Sequence, residues 1–116
     1  KRQFFKNYLK HTLLHPVAGN FDERKYFLTA LDEMSLLECE LLAFINGSAQ
    51  VQVGTLNKPG TEQYAIVGAI GRLKARGFLI AYQGSFAVGG GADNSLQEIV
   101  QVSPFGKRFH NFCLEA

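Results

Sequence analysis

The feature that most constrains the fold is a helix pattern that runs directly into a strand pattern. Residues 61–76 carry apolar side chains at helical spacing and end at Gly77, which suits the left-handed position after a helix. Residues 78–82 follow at once as a strand, and residues 98–102 form a returning strand after a gap with three consecutive glycines. This order predicts an α+β unit whose two strands are joined by a long flexible tip.

Two helices are predicted before residue 35. Residues 3–14 place apolar side chains on one helical face and end before Pro16, because the residue preceding proline avoids the helical region. Asp22 is expected to cap the second helix. The predicted buried residues are Phe4, Phe5, Tyr8, Leu9 and Leu13 in the first helix, and Tyr26, Phe27, Ala30, Leu31 and Met34 in the second.

A third helix begins with a capping box. The Ser35 side chain should accept the amide of Glu38 while the Glu38 carboxylate accepts the amide of Ser35, and the cap contributes about 1 kcal/mol. Residues 49–53 then alternate apolar and polar as a short half-buried strand. The predicted inward face of this third helix comprises Leu37, Leu41, Leu42, Phe44 and Ile45.

The final helix has an N-terminal signal of its own. Ser103 is a capping residue, and Pro104 suits the first helical position, where its missing N–H is harmless. Its predicted apolar face comprises Phe105, Phe109, Phe112 and Cys113.

Composition favours one domain, residues 1–116, with N-terminal helices over residues 1–34 and a core over residues 35–116. The net charge of +2 is too small to indicate a nucleic-acid partner. No apolar run approaches the ~20 residues that span a bilayer, so no membrane association is expected. Cys39 and Cys113 lie among apolar residues, which predicts reduced core thiols in a cytoplasmic protein.

The order of elements from residue 35 onward resembles the winged-helix domains of MarR-type regulators. Residues 71–79, Gly-Arg-Leu-Lys-Ala-Arg-Gly-Phe-Leu, are similar to the exit of their recognition helix, and residues 102–109 to the start of their last helix. A second resemblance, through residues 27–38, 72–79 and 103–113, is to the C-terminal part of the abortive-infection alpha family. It implies a bacterial cytoplasmic protein of phage defence.

One departure weakens the implied DNA binding. Only fifteen residues separate Ile45 from Thr61, so the helix that normally precedes the recognition helix is missing or reduced to a turn. The tip, residues 83–97, has no Lys or Arg, although cations on a wing gain affinity from phosphates. DNA binding is therefore the alternative hypothesis, and its candidate residues are Lys58, Gln63, Arg72, Lys74 and Arg76.

The outward face of the helix over residues 61–76 is instead small and apolar. Gly68 and Gly71 would allow another segment to approach the backbone, while Tyr64 and Val67 add apolar area. A helix that is apolar nearly all round should be covered on both sides, either by the final helix of this chain or by a second subunit. The predicted interaction residues are Tyr64, Val67, Gly68 and Gly71.

Other chemistry is not favoured. His11, His15, His110 and Cys113 could form a zinc site if the first and last helices met, but ordinary capping and core roles account for His15 and Cys113. No nucleophile stands in a catalytic motif. We therefore expect no cofactor and no enzymatic activity, and the leading hypothesis is a protein-interaction or self-association module built on this helix and the wing.

Overall fold

The computed structural model describes residues 1–14, 21–83 and 94–115. These residues form five α-helices and three short strands, and the fifth helix continues into the π-helical turn His110–Leu114. Single 3-10 turns occupy Val53–Thr55 and Asn94–Leu96. The elements are α1 (Arg2–Leu14), α2 (Phe21–Glu33), α3 (Leu36–Asn46), β1 (Val51–Gln52), α4 (Gln63–Ala75), β2 (Leu79–Gln83), β3 (Glu98–Val102) and α5 (Pro104–Phe109).

The three strands form one antiparallel sheet in the order β1-β3-β2. Leu79 lies opposite Val102, and Tyr82 opposite Ile99. Val100 and Val102 are buried on the core face, in agreement with the alternation of the sequence. The fold is therefore mostly helical α+β and winged-helix-like, with two additional N-terminal helices, as predicted.

Aromatic side chains join the N-terminal helices to the rest of the core. The Phe78 and Phe109 rings stack with centroids 4.4 Å apart, and Phe27 of α2 meets Phe109 edge-on at 5.4 Å. Phe105 and Phe112 extend the same cluster. Buried residues from 1–34 and from 35–116 thus share one hydrophobic core.

The predicted caps are correct for α3 and α5. Both halves of the Ser35–Glu38 capping box are present, and Ser103 Oγ accepts the Gly106 amide at 2.9 Å with Pro104 in the first turn. The prediction for α2 was wrong, because Asp22 lies inside the first turn of the helix. The expected break at His15 and Pro16 lies outside the described residues.

The predicted burial was wrong on one flank of each of the first three helices. Leu9 and Leu13 of α1 are exposed, Leu13 by 80%, whereas Asn7 is only 3% exposed. Tyr26 of α2 and Phe44 of α3 are exposed as well. The reason for α1 is its docking on the π-helical turn, where Asn7 Nδ2 donates to the Cys113 carbonyl at 3.2 Å and His11 Nδ1 lies 2.7 Å from the Phe112 carbonyl oxygen.

The connection before α4 is as short as the sequence indicated. The predicted strand 49–53 is reduced to Val51–Gln52. A single 3-10 turn that begins at Val53 occupies the place of the helix that precedes the recognition helix in winged-helix domains. α4 itself begins later than predicted, at Gln63. The glycine-rich tip, residues 84–93, lies outside the described residues.

Candidate functional site: the outward face of α4

Helix α4 is held at both ends by local interactions. The Glu62 side chain accepts the amides of Tyr64 and Ala65 at 2.7 and 3.2 Å, which satisfies two free donors of the first turn. Gly77 follows the helix with a φ of +83°, a conformation that favours glycine. This turn leads directly into Phe78 and β2.

The inward face of α4 packs against α3 and β2. Four residues on this face are buried, and their 3–4 spacing places them on one side of the helix. They are Ile66, Ala69, Ile70 and Leu73. The orientation of α4 is therefore fixed by the core.

The structure places Tyr64, Gly68 and Gly71 on the outward face of α4, with Val67 at the edge of that face. Tyr64 is 53% exposed, Gly68 is exposed and Gly71 is half-buried, while Val67 is partly buried against the core. The last helix and its π-helical turn pack mainly on α1, α3 and β3. The interpretation that the final helix covers this face is therefore wrong.

Gly68 and Gly71 have no packing requirement within the described part of the chain. A Cβ added at Gly71 would meet no atom within 4 Å, and one at Gly68 would meet only the flexible end of Arg72, at 3.4 Å. Gly106 is different, because a Cβ there would lie 2.2 Å from the Phe78 carbonyl oxygen. Gly54 is similarly constrained, with a Cβ only 2.7 Å from the Leu96 carbonyl oxygen.

The cations proposed to contact DNA are already engaged by carboxylates. Arg72 Nε donates to Glu38 at 2.8 Å, and Lys74 Nζ donates to Glu98 at 2.6 Å. Lys58 forms an ion pair with Glu40. These side chains therefore point along the protein surface toward intramolecular partners.

The remaining two residues of that group also have partners. Arg76 lies 3.4 Å from Glu33 and 3.7 Å from Glu38, measured between nitrogen and oxygen. The Gln63 amide donates to the Gly54 carbonyl at 3.4 Å. The structure thus does not bring the five residues together into one basic surface.

Glu38 is the centre of this charge network, a role that its capping motif alone did not reveal. Its side chain is 3% exposed and accepts from Ser35 and Arg72, with Arg76 nearby. Burial of a carboxylate is costly unless it is paired. Arg72 of α4 and Arg76 at its C-terminal cap therefore pair with this buried carboxylate, at sequence separations of 34 and 38 positions that concealed the contacts.

The side chains that were considered for a zinc site make other contacts. His11 lies against the Phe112 carbonyl, and His110 Nδ1 lies 3.3 Å from the Asn46 amide nitrogen. Cys113 is buried, and this burial, with a smaller effect of nearby Cys39, raises the pKa of its thiol to about 12. His15 lies outside the described residues, among which no group of three His, Cys, Asp or Glu side chains could hold a metal.

An apolar groove lies between α3 and the segment before α4. It has a volume of about 350 Å³, and exposed Phe44 forms part of its wall with Leu37, Leu56 and Ile66. The Glu40–Lys58 ion pair lies on its rim. The groove was not predicted from the sequence, because the helical pattern of α3 places Phe44 on the inward face.

Comparisons of the chain with protein-family models, with curated proteins and with solved structures found no match. In the part of the chain that the structure describes, no helix is both long and apolar enough to cross a bilayer. The arrangement of α4 therefore carries the functional argument.

Proposed function

We propose that this chain is a non-enzymatic protein-interaction or self-association module of winged-helix type that uses the outward face of α4. The observation that carries the proposal is the pair of glycines, Gly68 and Gly71, in the middle of a 13-residue helix. Each glycine in a helix interior costs about 1 kcal/mol relative to alanine. The described part of the chain offers no packing reason for that cost.

A bare helix backbone is useful where another segment must approach closely. Small residues let two backbones pack at short distance, and neighbouring apolar side chains then supply buried area. Tyr64 supplies a half-exposed ring on the same face, and aromatic residues are enriched in the centre of protein interfaces. The face therefore suits a protein surface better than a charged ligand.

The ion pairs of α4 make DNA binding the less favoured hypothesis. A recognition helix needs polar or cationic side chains directed at base edges and phosphates. Here a phosphate would have to compete with Glu38 for Arg72 and with Glu98 for Lys74. The outward face between them presents Gly68 and Gly71, which have no side chain to offer.

The cellular setting that we propose follows from the sequence resemblance alone. The likeness to the abortive-infection alpha family suggests a bacterial cytoplasmic protein of phage defence. Buried, unoxidised Cys39 and Cys113 are compatible with a reducing compartment.

The proposal is tested by Gly71→Arg. The side chain would extend from an open position of the helix, so the fold should persist while a close backbone approach is blocked. Ala43→Arg is the matched control, because Ala43 is an exposed helical residue on α3. Light scattering and quantitative binding should show loss of association through α4, with a second copy or a partner, for Gly71→Arg only, and equal behaviour of both variants would reject the surface.

A further inference from the structure

The strand β2 is an edge of the sheet and is unusually accessible. In the order β1-β3-β2, no strand among the described residues lies on its outer side. Ile80 and Tyr82 are exposed on the solvent face, and Ala81 is exposed on the opposite face. Among the described residues, the second half of the strand is thus exposed on both faces and unpaired along one edge.

Hydrogen bonding fixes which backbone groups point outward. The Ser103 amide donates to the Phe78 carbonyl at 3.0 Å, so Phe78 and Ser103 form a hydrogen-bonded pair of the ladder. Because such pairs alternate along antiparallel strands, Ile80 and Tyr82 also direct their backbone groups at β3. The backbone N–H and C=O groups of Leu79 and Ala81 therefore point away from β3.

This edge lacks the usual protection against pairing with another strand. Natural edge strands are commonly blunted by lysine, proline or a bulge. The sequence of β2 is Leu-Ile-Ala-Tyr-Gln, which contains no charged residue and no proline, and its register with β3 is continuous over all five residues. Within the described ranges, an added strand would therefore meet no charged residue, proline or bulge in β2 that opposes it.

We infer that β2 pairs with β2 of a second copy of this chain, antiparallel about a two-fold axis at Ala81. In this register Ala81 lies opposite Ala81 of the second copy, and Leu79 lies opposite Gln83. The outward backbone groups of these residues face each other, so all five positions of β2 have a partner. Ile80 then lies opposite Tyr82 of the second copy, which is a favourable pairing of aromatic and β-branched side chains. Since β2 is uncharged, the two copies bring no like charges together.

The same register extends a side-chain row that exists within one copy. Tyr82 already lies opposite Ile99 of β3 on the solvent face of the sheet. In the pair, Tyr82 would be flanked by Ile99 on one side and by Ile80 of the second copy on the other. This self-complementarity favours a second copy over an unrelated extended peptide. The inference goes beyond the proposed function, because it concerns β2 rather than the outward face of α4.

The test is analytical ultracentrifugation of the chain from about 1 μM to about 1 mM, with Ala81→Pro as the principal variant. Proline removes an outward N–H that the β3 ladder does not use, which edge strands tolerate. In the proposed register this deletes both hydrogen bonds between the two Ala81 residues. We expect the dimer dissociation constant to rise by roughly tenfold to hundredfold.

A second pair of variants tests the pairing independently, in case Ala81→Pro does not fold. Ile80→Lys places a cation on β2, whereas Gln52→Lys places one on β1, the opposite edge of the same sheet. Dimer loss in Ile80→Lys but not in Gln52→Lys, with slow amide exchange of Ala81 only at high concentration, would support the pairing. A monomer at every concentration, or a dimer unaffected by Ala81→Pro and Ile80→Lys, would overturn it. Gly71→Arg changes α4 and not β2, so the β2 dimer should persist in that variant. A failure of β2 pairing can therefore be distinguished from a failure of the proposed function.

Discussion

Arg72 of α4 donates its Nε hydrogen to Glu38 Oε1 of α3 across 2.8 Å. The carboxylate is 3% exposed, whereas the arginine is 55% exposed, so the charge pair runs from the protein interior to its surface. This contact directs the basic flank of α4 toward α3. The glycine-containing face is left as the outward surface.

Replacing Glu38 with glutamine should destabilise the domain by about 1–3 kcal/mol, because the negative charge that strengthens the Arg72–Glu38 hydrogen bond and attracts Arg76 is removed. Glutamine can still complete a capping box, so the change addresses the ion pairs with Arg72 and Arg76 more than the cap. Urea denaturation at neutral pH measures the change in unfolding free energy.

Ser35→Ala provides the comparison for the cap alone. It should cost about 1 kcal/mol, since Ser35 Oγ would no longer accept the Glu38 amide. If Glu38→Gln left the unfolding free energy unchanged, the charge network would not hold α4 in place as argued.

Gly71→Ala should stabilise the protein by about 0.5–1 kcal/mol, because alanine is the better helix former and its Cβ meets open space. Gly106→Ala is the contrasting change and should be strongly destabilising, since its Cβ would overlap the Phe78 carbonyl oxygen. Thermal denaturation of the two variants should move in opposite directions. A loss of stability in Gly71→Ala would show that the glycine is required by the fold.

Stability should fall as the pH rises above about 9, in part through the two buried thiols. Burial raises the pKa of Cys39 to about 11 and that of Cys113 to about 12, from the ordinary thiol value of 9.0. The unfolded chain therefore loses these protons first, and the folded state binds more protons between pH 9 and 11. Each thiol then lowers the unfolding free energy by at most about 1.4 kcal/mol per pH unit.

The measurement is the unfolding free energy from urea denaturation at pH 8 and pH 10.5. It compares the wild type with the double variant that carries both Cys39→Ala and Cys113→Ala. The variant should show a shallower pH dependence, because lysine and tyrosine titration is common to both proteins. Equal slopes would contradict the assigned pKa shifts.

Asn7→Ala should loosen α1 from the domain. The change removes the donor to the Cys113 carbonyl, and leaving a buried acceptor unpaired costs about 1–3 kcal/mol. Hydrogen exchange should become faster in α1 than in α4. Leu13→Ala serves as the control, because an 80% exposed side chain should contribute within about 0.5 kcal/mol.

Local signals predicted local structure well. The Ser35 capping box, the Ser103–Pro104 start, the left-handed Gly77 and the bounds of β3 are each determined by a few neighbouring residues. Such interactions do not depend on the rest of the fold. The α+β architecture followed from the order of these signals.

The failures concern contacts between distant residues. The spacing of apolar residues predicts the apolar stripe of a helix, but contacts with other elements decide which flank of the stripe is buried. Helix α1 contacts the π-helical turn through Asn7 and His11, while Leu13 remains exposed. The π-helical turn that supplies the Cys113 carbonyl has no signal in the sequence. The ion pair between Arg72 and Glu38 also has no signal in the sequence. The outward face of α4 was therefore predicted, but the ion pairs of its basic residues were not.

The most direct test of the central claim compares wild type, Gly71→Arg and Ala43→Arg in light scattering and in titration with duplex DNA at two salt concentrations. We predict that association through α4, with a second copy or a purified protein partner, is lost only in Gly71→Arg, that a dimer formed through β2 persists in all three, and that DNA binding is weak or absent in all three. Salt-sensitive DNA binding at micromolar or lower concentration, with Gly71→Arg and Ala43→Arg indistinguishable in protein binding, would contradict the claim and favour α4 as a DNA-contacting helix.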